Sequence, residues 1–198
     1  MKQTNKDTTS AIVDGLLRFV AAGGMISIAF LSPLALPAVD KPTRKMLEKL
    51  DERERERELR RVVYYMKQRG LIRLTAEDYE HGLQITRRGR KRLQKANYDN
   101  VSIPTPDTWD KCWRLVLFDI PVDKNRARRS LTIKLRELGF KQLQKSIWIH
   151  PFPCRHEIEV VATTLGVRRY ITYLEVSHID AEKKLRSRFK HLLSTAKK

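Results

Sequence analysis

The residue with the clearest catalytic potential is Asp119, which ends an apolar run beginning at Trp113. A carboxylate at the end of a strand can help to hold magnesium, which takes oxygen ligands and retains several waters. No second acid stands at strand spacing, since Leu117 and Pro121 occupy those positions and Asp123 is the nearest other acid. Asp119 is therefore a candidate catalytic residue and metal ligand only for a metal-dependent nuclease. The competing interpretation is a turn cap, a helix cap or a buried ion pair.

Basic residues offer a second kind of chemistry. The chain carries 41 Lys and Arg against 23 Asp and Glu, a formal net charge of +18. This excess predicts a polyanionic partner, either nucleic acid or an anionic membrane surface. The basic residues are clustered, which makes a merely solvated basic face the weaker interpretation.

Two clusters are candidates for contacts with double-stranded DNA. The first lies on the outer face of a predicted helix, and the second follows a predicted hairpin. Arg and Gln can read base edges, whereas Lys and Tyr mostly hold phosphates. An ordinary surface helix is the alternative for the first cluster, because four interspersed glutamates would repel phosphate. The candidate DNA-binding residues are Arg57, Arg60, Arg61, Tyr64, Lys67, Gln68, Arg87, Arg88, Lys91 and Arg92.

Metal-ligating residues are sparse. Cys112 and Cys154 are the two cysteines, and nothing in their spacing requires them to pair, which favours a reduced, cytoplasmic compartment. His150, Cys154 and His156 lie close in sequence, but no second ligand pair completes a zinc pattern. The sequence thus predicts no metal site and no cofactor, with magnesium only under the nuclease alternative.

A long uncharged segment, Phe19 to Val39, must be interpreted before the fold. Its length would span a bilayer, but Gly23-Gly24, Pro33 and Pro37 would break a lone helix. We expect a helix end, a turn and a short apolar element, and no membrane partner.

The first half of the chain has the layout of a winged helix-turn-helix. Ser10 is a plausible N-cap for a first helix. A later helix has a core-facing stripe of Leu59, Val62, Val63 and Met66. Leu71 to Thr86 then contains two β-prone runs around a polar, glycine-containing turn. We predict this DNA-binding domain over residues 10–98, and a proline-marked linker over 99–108.

The second half predicts an α+β domain of the ferredoxin-like kind. Apolar alternation and helical stripes give the order β-α-β-β-α-β over residues 109–178. The first helix of this domain should expose Arg126, Arg129, Lys134 and Arg136. A C-terminal helix over 179–198 should place Leu185, Phe189, Leu192 and Leu193 on one face.

The motifs WDKCWRLVLFDIP, RELGF and LQKSIWIHPF resemble the central domain of the PaaX-like transcriptional repressors. This domain in turn resembles the CRISPR-associated Cas-two nuclease subunit, whose register would be matched by Asp119, Gln144, Ser146 and Trp148. The resemblance implies a cytoplasmic homodimer that binds operator DNA and represses transcription. Some relatives respond to an aryl-CoA thioester, but this sequence specifies no effector, and little chain follows Val176 for a longer effector domain. A Cas-two-like endonuclease using Asp119 is the alternative function.

Overall fold

The computed structural model describes residues 2–22, 41–77, 80–180 and 182–195. The protein is α+β and divides into two compact units, Met1–Ala96 and Asn97–Lys198. Most of the apolar segment from Phe19 to Val39, including its glycine pair and its prolines, lies outside the described residues.

The first unit contains three helices, a β-hairpin and the beginning of a fourth helix. The two strands pair antiparallel, with Ile72 opposite Ile85 and Leu74 opposite Leu83. The elements are α1 (Lys2–Ala21), α2 (Lys41–Leu47), α3 (Glu52–Gln68), β1 (Ile72–Glu77), β2 (Glu80–Ile85) and α4 (Arg87–Asn100). The predicted cap at Ser10 is wrong, because α1 already begins at Lys2 and Ser10 lies within it.

Helix α3 is held by a local cap and by its apolar stripe. Asp51 and Glu54 form a capping box, in which each side chain accepts a bond from the other residue's backbone N–H. The predicted stripe packs into the core of the unit, with Leu59, Val62 and Met66 buried. This orientation leaves the opposite, basic face of α3 in solvent.

Helix α4 was not expected from the sequence, because its basic run lacks an apolar stripe. Thr86 caps it by accepting from the Gly89 N–H at 3.1 Å, while the Thr86 hydroxyl donates to the Gly70 carbonyl at 2.6 Å. A Cβ on Gly89 would lie 2.1 Å from the Leu71 carbonyl oxygen. Glycine therefore permits the close approach of α4 to the turn before β1. The helix continues to Asn100, so the first residues of the predicted linker are helical.

The second unit has a four-stranded antiparallel sheet with strand order β4-β5-β3-β6. Its chain order is strand, helix, strand, strand, helix, strand, as predicted. The elements are β3 (Trp113–Phe118), α5 (Asn125–Glu137), β4 (Lys141–Gln144), β5 (Ile147–His150), α6 (Arg155–Thr164) and β6 (Ile171–Val176), with 3-10 turns at Val122–Lys124 and Arg168–Tyr170.

The two faces of this sheet are covered differently. One face packs against α5 and α6 around Val116, Trp148 and Val161. The other face carries Trp113 and Ile149, which pack with residues of two short C-terminal helices, α7 (Glu182–Arg188) and α8 (Lys190–Thr195). The single C-terminal helix predicted over 179–198 is therefore two helices.

Lys134 differs from its predicted position on the outer surface of α5. It is 6% exposed, its Nζ lies 4.9 Å from the centre of the Tyr98 ring, and it forms an ion pair with Glu137 at 3.3 Å. Tyr98 also packs with Val101 and Ile103 against the core of the second unit. The segment predicted as a linker thus contributes to that core.

Candidate nucleic-acid interface

The outer face of α3 presents a row of polar and basic side chains. Arg57, Tyr64, Lys67 and Gln68 are exposed, and Tyr64 retains 65% of its accessible surface. Within the part of the chain that the structure describes, these four side chains form no ion pair or side-chain hydrogen bond. Their groups are free to meet an external partner.

Two other candidates on α3 are engaged within the helix. Arg60 binds Glu56 at 2.7 Å, and Arg61 binds Glu58 at 2.6 Å and the Thr9 hydroxyl at 3.1 Å. The hydrogen bond that Arg61 donates to Glu58 raises the pKa of Arg61, which stays protonated. Exposed pairs of this kind contribute at most about 1 kcal/mol, so a phosphate can compete for either arginine.

Three of the four glutamates of α3 also have partners in this arrangement. Glu54 belongs to the capping box, while Glu56 and Glu58 are neutralised by the arginines that follow them. The sequence-based objection that these acids would repel phosphate is therefore weakened for these three side chains.

A basic groove lies between the end of α3 and the side of α4. It encloses a cavity of about 520 Å³, and the Arg69 guanidinium lies 5.4 Å from the centre of the Tyr65 ring. Among the described residues, no acidic side chain lines it. The lining residues of this groove, the α3–α4 groove, are Tyr65, Arg69, Leu71, Arg88, Lys91, Arg92 and Lys95.

The four predicted cations of α4 have different surroundings. Arg87, Arg88 and Lys91 are exposed, and Arg88 and Lys91 line the α3–α4 groove. Arg92 is partly buried and forms an ion pair with Asp14 at 2.8 Å and a hydrogen bond with Ser10 at 3.0 Å. Arg92 therefore also fastens α4 to α1.

Three polar residues of the groove were missed by sequence reasoning. Tyr65, Arg69 and Lys95 lie on the α3–α4 groove without belonging to either predicted cluster. A helical reading of the basic run would have placed Lys91 and Lys95 one turn apart on a common face. The sequence-based prediction rests on the charge of this segment and not on its helical periodicity.

Asp119 is exposed immediately after β3, and its backbone N–H donates to the Tyr170 carbonyl at 3.0 Å. Its carboxylate forms no hydrogen bond or ion pair with any residue that the structure describes. Neither the following 3-10 turn nor α5 has a side-chain cap, so the capping role predicted as its competing interpretation is absent.

A cavity of about 500 Å³ lies beside Asp119, which is its sole acidic lining residue within the described ranges. Its other polar lining residues are Ser146, Arg169, Tyr170 and Thr172, and the Ser146 hydroxyl accepts from Arg128 at 3.1 Å. The described residues contain no group of three or more His, Cys, Asp or Glu side chains able to hold a metal ion.

Of the three side chains considered for zinc, His150 and Cys154 are buried, whereas His156 is exposed. His150 is buried, and burial lowers its pKa to about 4, while burial raises the pKa of Cys154 to about 12. The two cysteines are free thiols. A thiol with so high a pKa is a poor source of the thiolate that zinc requires.

Among its described helices, the protein has none that is both long enough and apolar enough to span a bilayer.

Comparison with known proteins gives one family assignment. Residues 106–188 match the family model described as the PaaX protein central Cas2-like domain. No curated protein matches the chain. The match covers all four strands of the second unit together with helices α5, α6 and α7. The resemblance inferred from the sequence is therefore confirmed for this part of the chain, and the second unit contains a PaaX-like central domain.

Proposed function

We propose that the protein is a cytoplasmic, sequence-specific DNA-binding regulator, a repressor of the PaaX type, whose first unit acts as a winged helix-turn-helix. The α3–α4 groove carries this proposal, because five basic side chains and an aromatic ring converge there with no acid among the described lining residues. The central domain shared with PaaX proteins supports a regulatory role.

The element order of the first unit supports a specific docking geometry. Helix α2 and helix α3 are joined by a short turn, and Arg55 donates to the carbonyls of Leu47 and Leu50 at 3.0 Å each, which fixes the turn. In a winged helix, α3 enters the major groove and the following hairpin contacts the adjacent backbone. Arg57 and Gln68 would then face base edges, while Tyr64 and Lys67 would contact phosphates.

Helix α4 would supply contacts to phosphate. Its exposed cations, Arg87, Arg88 and Lys91, follow the hairpin directly, and Arg88 and Lys91 line the α3–α4 groove. Such contacts position the protein on the duplex and carry no sequence information. The proposed division of labour is reading by α3 and anchoring by α4.

We further propose that the regulator is a homodimer that pairs through the sheet of the second unit. Leu117, Ile147 and Leu174 share the sheet face of Trp113, but they lie outside the core beneath α7 and α8, and Leu174 is 42% exposed. The apolar stripe of the C-terminal helices would be an alternative surface for pairing, but it is used inside the unit through Leu185 and Phe189. A two-fold pair fits a palindromic operator.

Selection of bound sequences from a random pool of duplex DNA tests the function directly. The full chain should enrich a common, palindromic motif with half-sites about one helical turn apart. If the bound DNA shows no enriched motif, the protein binds DNA without sequence specificity. If no DNA is retained, the proposed function is wrong.

A metal-dependent nuclease is the second candidate, favoured by the exposure of Asp119 beside a cavity. The same pool and an RNA pool, incubated with magnesium or manganese, should be scored for cutting. Cleavage by the native chain, lost in Asp119→Asn, would establish this activity, whereas intact nucleic acid under all conditions would exclude it.

A further inference from the structure

The outer face of α5 carries a row of arginines that the proposed DNA-reading unit does not use. Arg126, Arg129 and Arg136 are exposed and recur at helical spacing, with the exposed Ile133 between them. The row extends about 15 Å along the helix axis. Phosphates of one DNA strand follow one another about every 3.4 Å along the duplex axis, so the row matches the length of roughly four or five of these spacings. We call these three arginines the α5 row.

The α5 row lacks the internal compensation seen elsewhere in the second unit. Arg126 and Arg129 form no ion pair or side-chain hydrogen bond with any residue in the described ranges, and Arg136 stacks at 5.5 Å over the Trp148 ring. Three other arginines of the unit are paired with glutamates, namely Arg155–Glu175, Arg168–Glu159 and Arg186–Glu182. The positive charge of the α5 row is thus presented to solvent.

The sequence of α5 places cations at the N-terminal end of the helix, where positive charge lowers helix stability. The first turn contains no acid, and α5 has no side-chain N-cap. Lys124, Arg126, Arg128 and Arg129 instead surround the positive end of the helix dipole. An external polyanion lying along this face would offset the repulsion.

We infer that the α5 row is a second contact for the phosphate backbone of double-stranded DNA, carried by the PaaX-like unit itself. Half of the excess positive charge of the chain lies in this unit. The contact is independent of sequence, since arginines that meet phosphates add affinity without selecting bases. This inference rests on the proposed function, because it assumes that DNA is the partner.

The test compares two variants of the full chain that lose equal charge. One variant replaces the α5 row by R126Q, R129Q and R136Q. The control replaces three other exposed cations of the unit by K183Q, K184Q and R188Q. Binding to a random-sequence duplex and to a selected duplex is measured over a series of salt concentrations.

The α5 variant should bind both duplexes more weakly, and the slope of log affinity against log salt should fall by about two to three, since each phosphate contact contributes about 0.9. The preference for the selected duplex should be unchanged. The control should retain the native slope. A double variant with R126Q and R129Q, which leaves the Arg136–Trp148 contact intact, should lose about two contacts.

Equal behaviour of the α5 variant and the control would overturn the inference, because the effect would then reflect net charge alone. If only substitutions in α3 and α4 weaken binding, the proposed function stands and the α5 contact fails. If the native chain binds neither duplex, both fail. Unaltered DNA binding with loss of a protein partner would instead assign the face to that partner.

Discussion

At the scale of single residues, His150 has the most unusual environment. It is 2% exposed among the rings of Phe140, Phe152 and Phe189, and its Nδ1 accepts from the Phe152 N–H at 3.1 Å. This bond places the proton of the neutral ring on Nε2. Because burial penalises the charged ring, the pKa falls from 6.5 to about 4.

This shift predicts a loss of stability in mild acid. Between pH 6.5 and pH 4 the unfolded chain binds a proton that the folded chain refuses, so stability is full above this window and falls as the pH decreases. Going from about pH 7.5 to about pH 5 should lower the free energy of unfolding by about 2 kcal/mol through His150. Urea denaturation at both pH values measures the loss.

The matched variant is His150→Asn, which keeps an acceptor for the Phe152 N–H but does not titrate. Its stability at neutral pH should be lower because of the lost ring, yet its further loss on acidification should be smaller by the same amount. An identical acid loss in both proteins would show that other groups cause it.

Gly89 gives a second prediction at this scale. A helical Gly→Ala change normally stabilises by up to about 1 kcal/mol. Here the new Cβ would meet the Leu71 carbonyl oxygen at 2.1 Å and the Ile85 side chain at 2.8 Å. Gly89→Ala should therefore destabilise by about 1–3 kcal/mol in chemical denaturation. The exposed control Arg90→Ala should change stability by less than about 0.5 kcal/mol, and a stabilised Gly89→Ala would contradict the packing described.

Sequence reasoning succeeded for residues governed by periodicity and failed for those governed by contacts. The stripe from Leu59 to Met66 follows from helical spacing alone. The sequence predicts Lys134 on the outer surface, because local patterns cannot reveal that its ammonium group lies over the Tyr98 ring. The intramolecular pairing of Arg92 with Asp14 spans 78 residues and is equally invisible to local patterns.

At the scale of elements, α3 and α4 should differ in how they contribute to DNA binding. Arg57→Ala and Gln68→Ala should alter the order of preference among duplexes, because these side chains would read bases. Arg88→Gln with Lys91→Gln should weaken binding to all duplexes alike and reduce the salt slope by about two. Equilibrium titrations of a selected duplex and two single-base variants separate the effects.

Arg92→Gln serves as the comparison for these variants. It breaks the pair with Asp14, so a drop in stability should accompany any loss of affinity. If the α4 double variant also loses stability, its binding defect cannot be assigned to phosphate contacts, and single substitutions must separate them. Uniform loss in the α3 variants would contradict base reading by that helix.

The elements themselves were predictable where apolar residues recur regularly. The strands of the second unit alternate clearly, and the break between β4 and β5 falls at Lys145-Ser146, as expected. The sequence pattern did not predict helix α4, because the stability of this helix comes from the Thr86 cap, from the close approach at Gly89 and from tertiary contacts. The predicted C-terminal helix is interrupted at Phe189. Sequence periodicity does not reveal this break, because Phe189 is apolar and fits the stripe of one continuous helix.

At the scale of the whole molecule, the proposed homodimer depends on the exposed part of the sheet. Leu174→Lys should place a charge on the pairing face and yield single chains in sedimentation. Ile133→Lys is the control, since Ile133 is also exposed, at 53%, but lies on α5. A native chain that sediments as a monomer, or a Leu174→Lys variant that remains paired, would exclude this interface.

The cover that α7 and α8 provide for the sheet limits how the polypeptide can be shortened. Leu185 and Phe189 shield Trp113 and Ile149 from water, and each such side chain is worth about 1.5–3 kcal/mol when buried. A fragment that ends at Val176 would therefore be prone to aggregate as well as less stable. Aggregation of that fragment would then result from the apolar sheet face that the truncation exposes. A fragment designed to stay soluble should therefore end after Leu193.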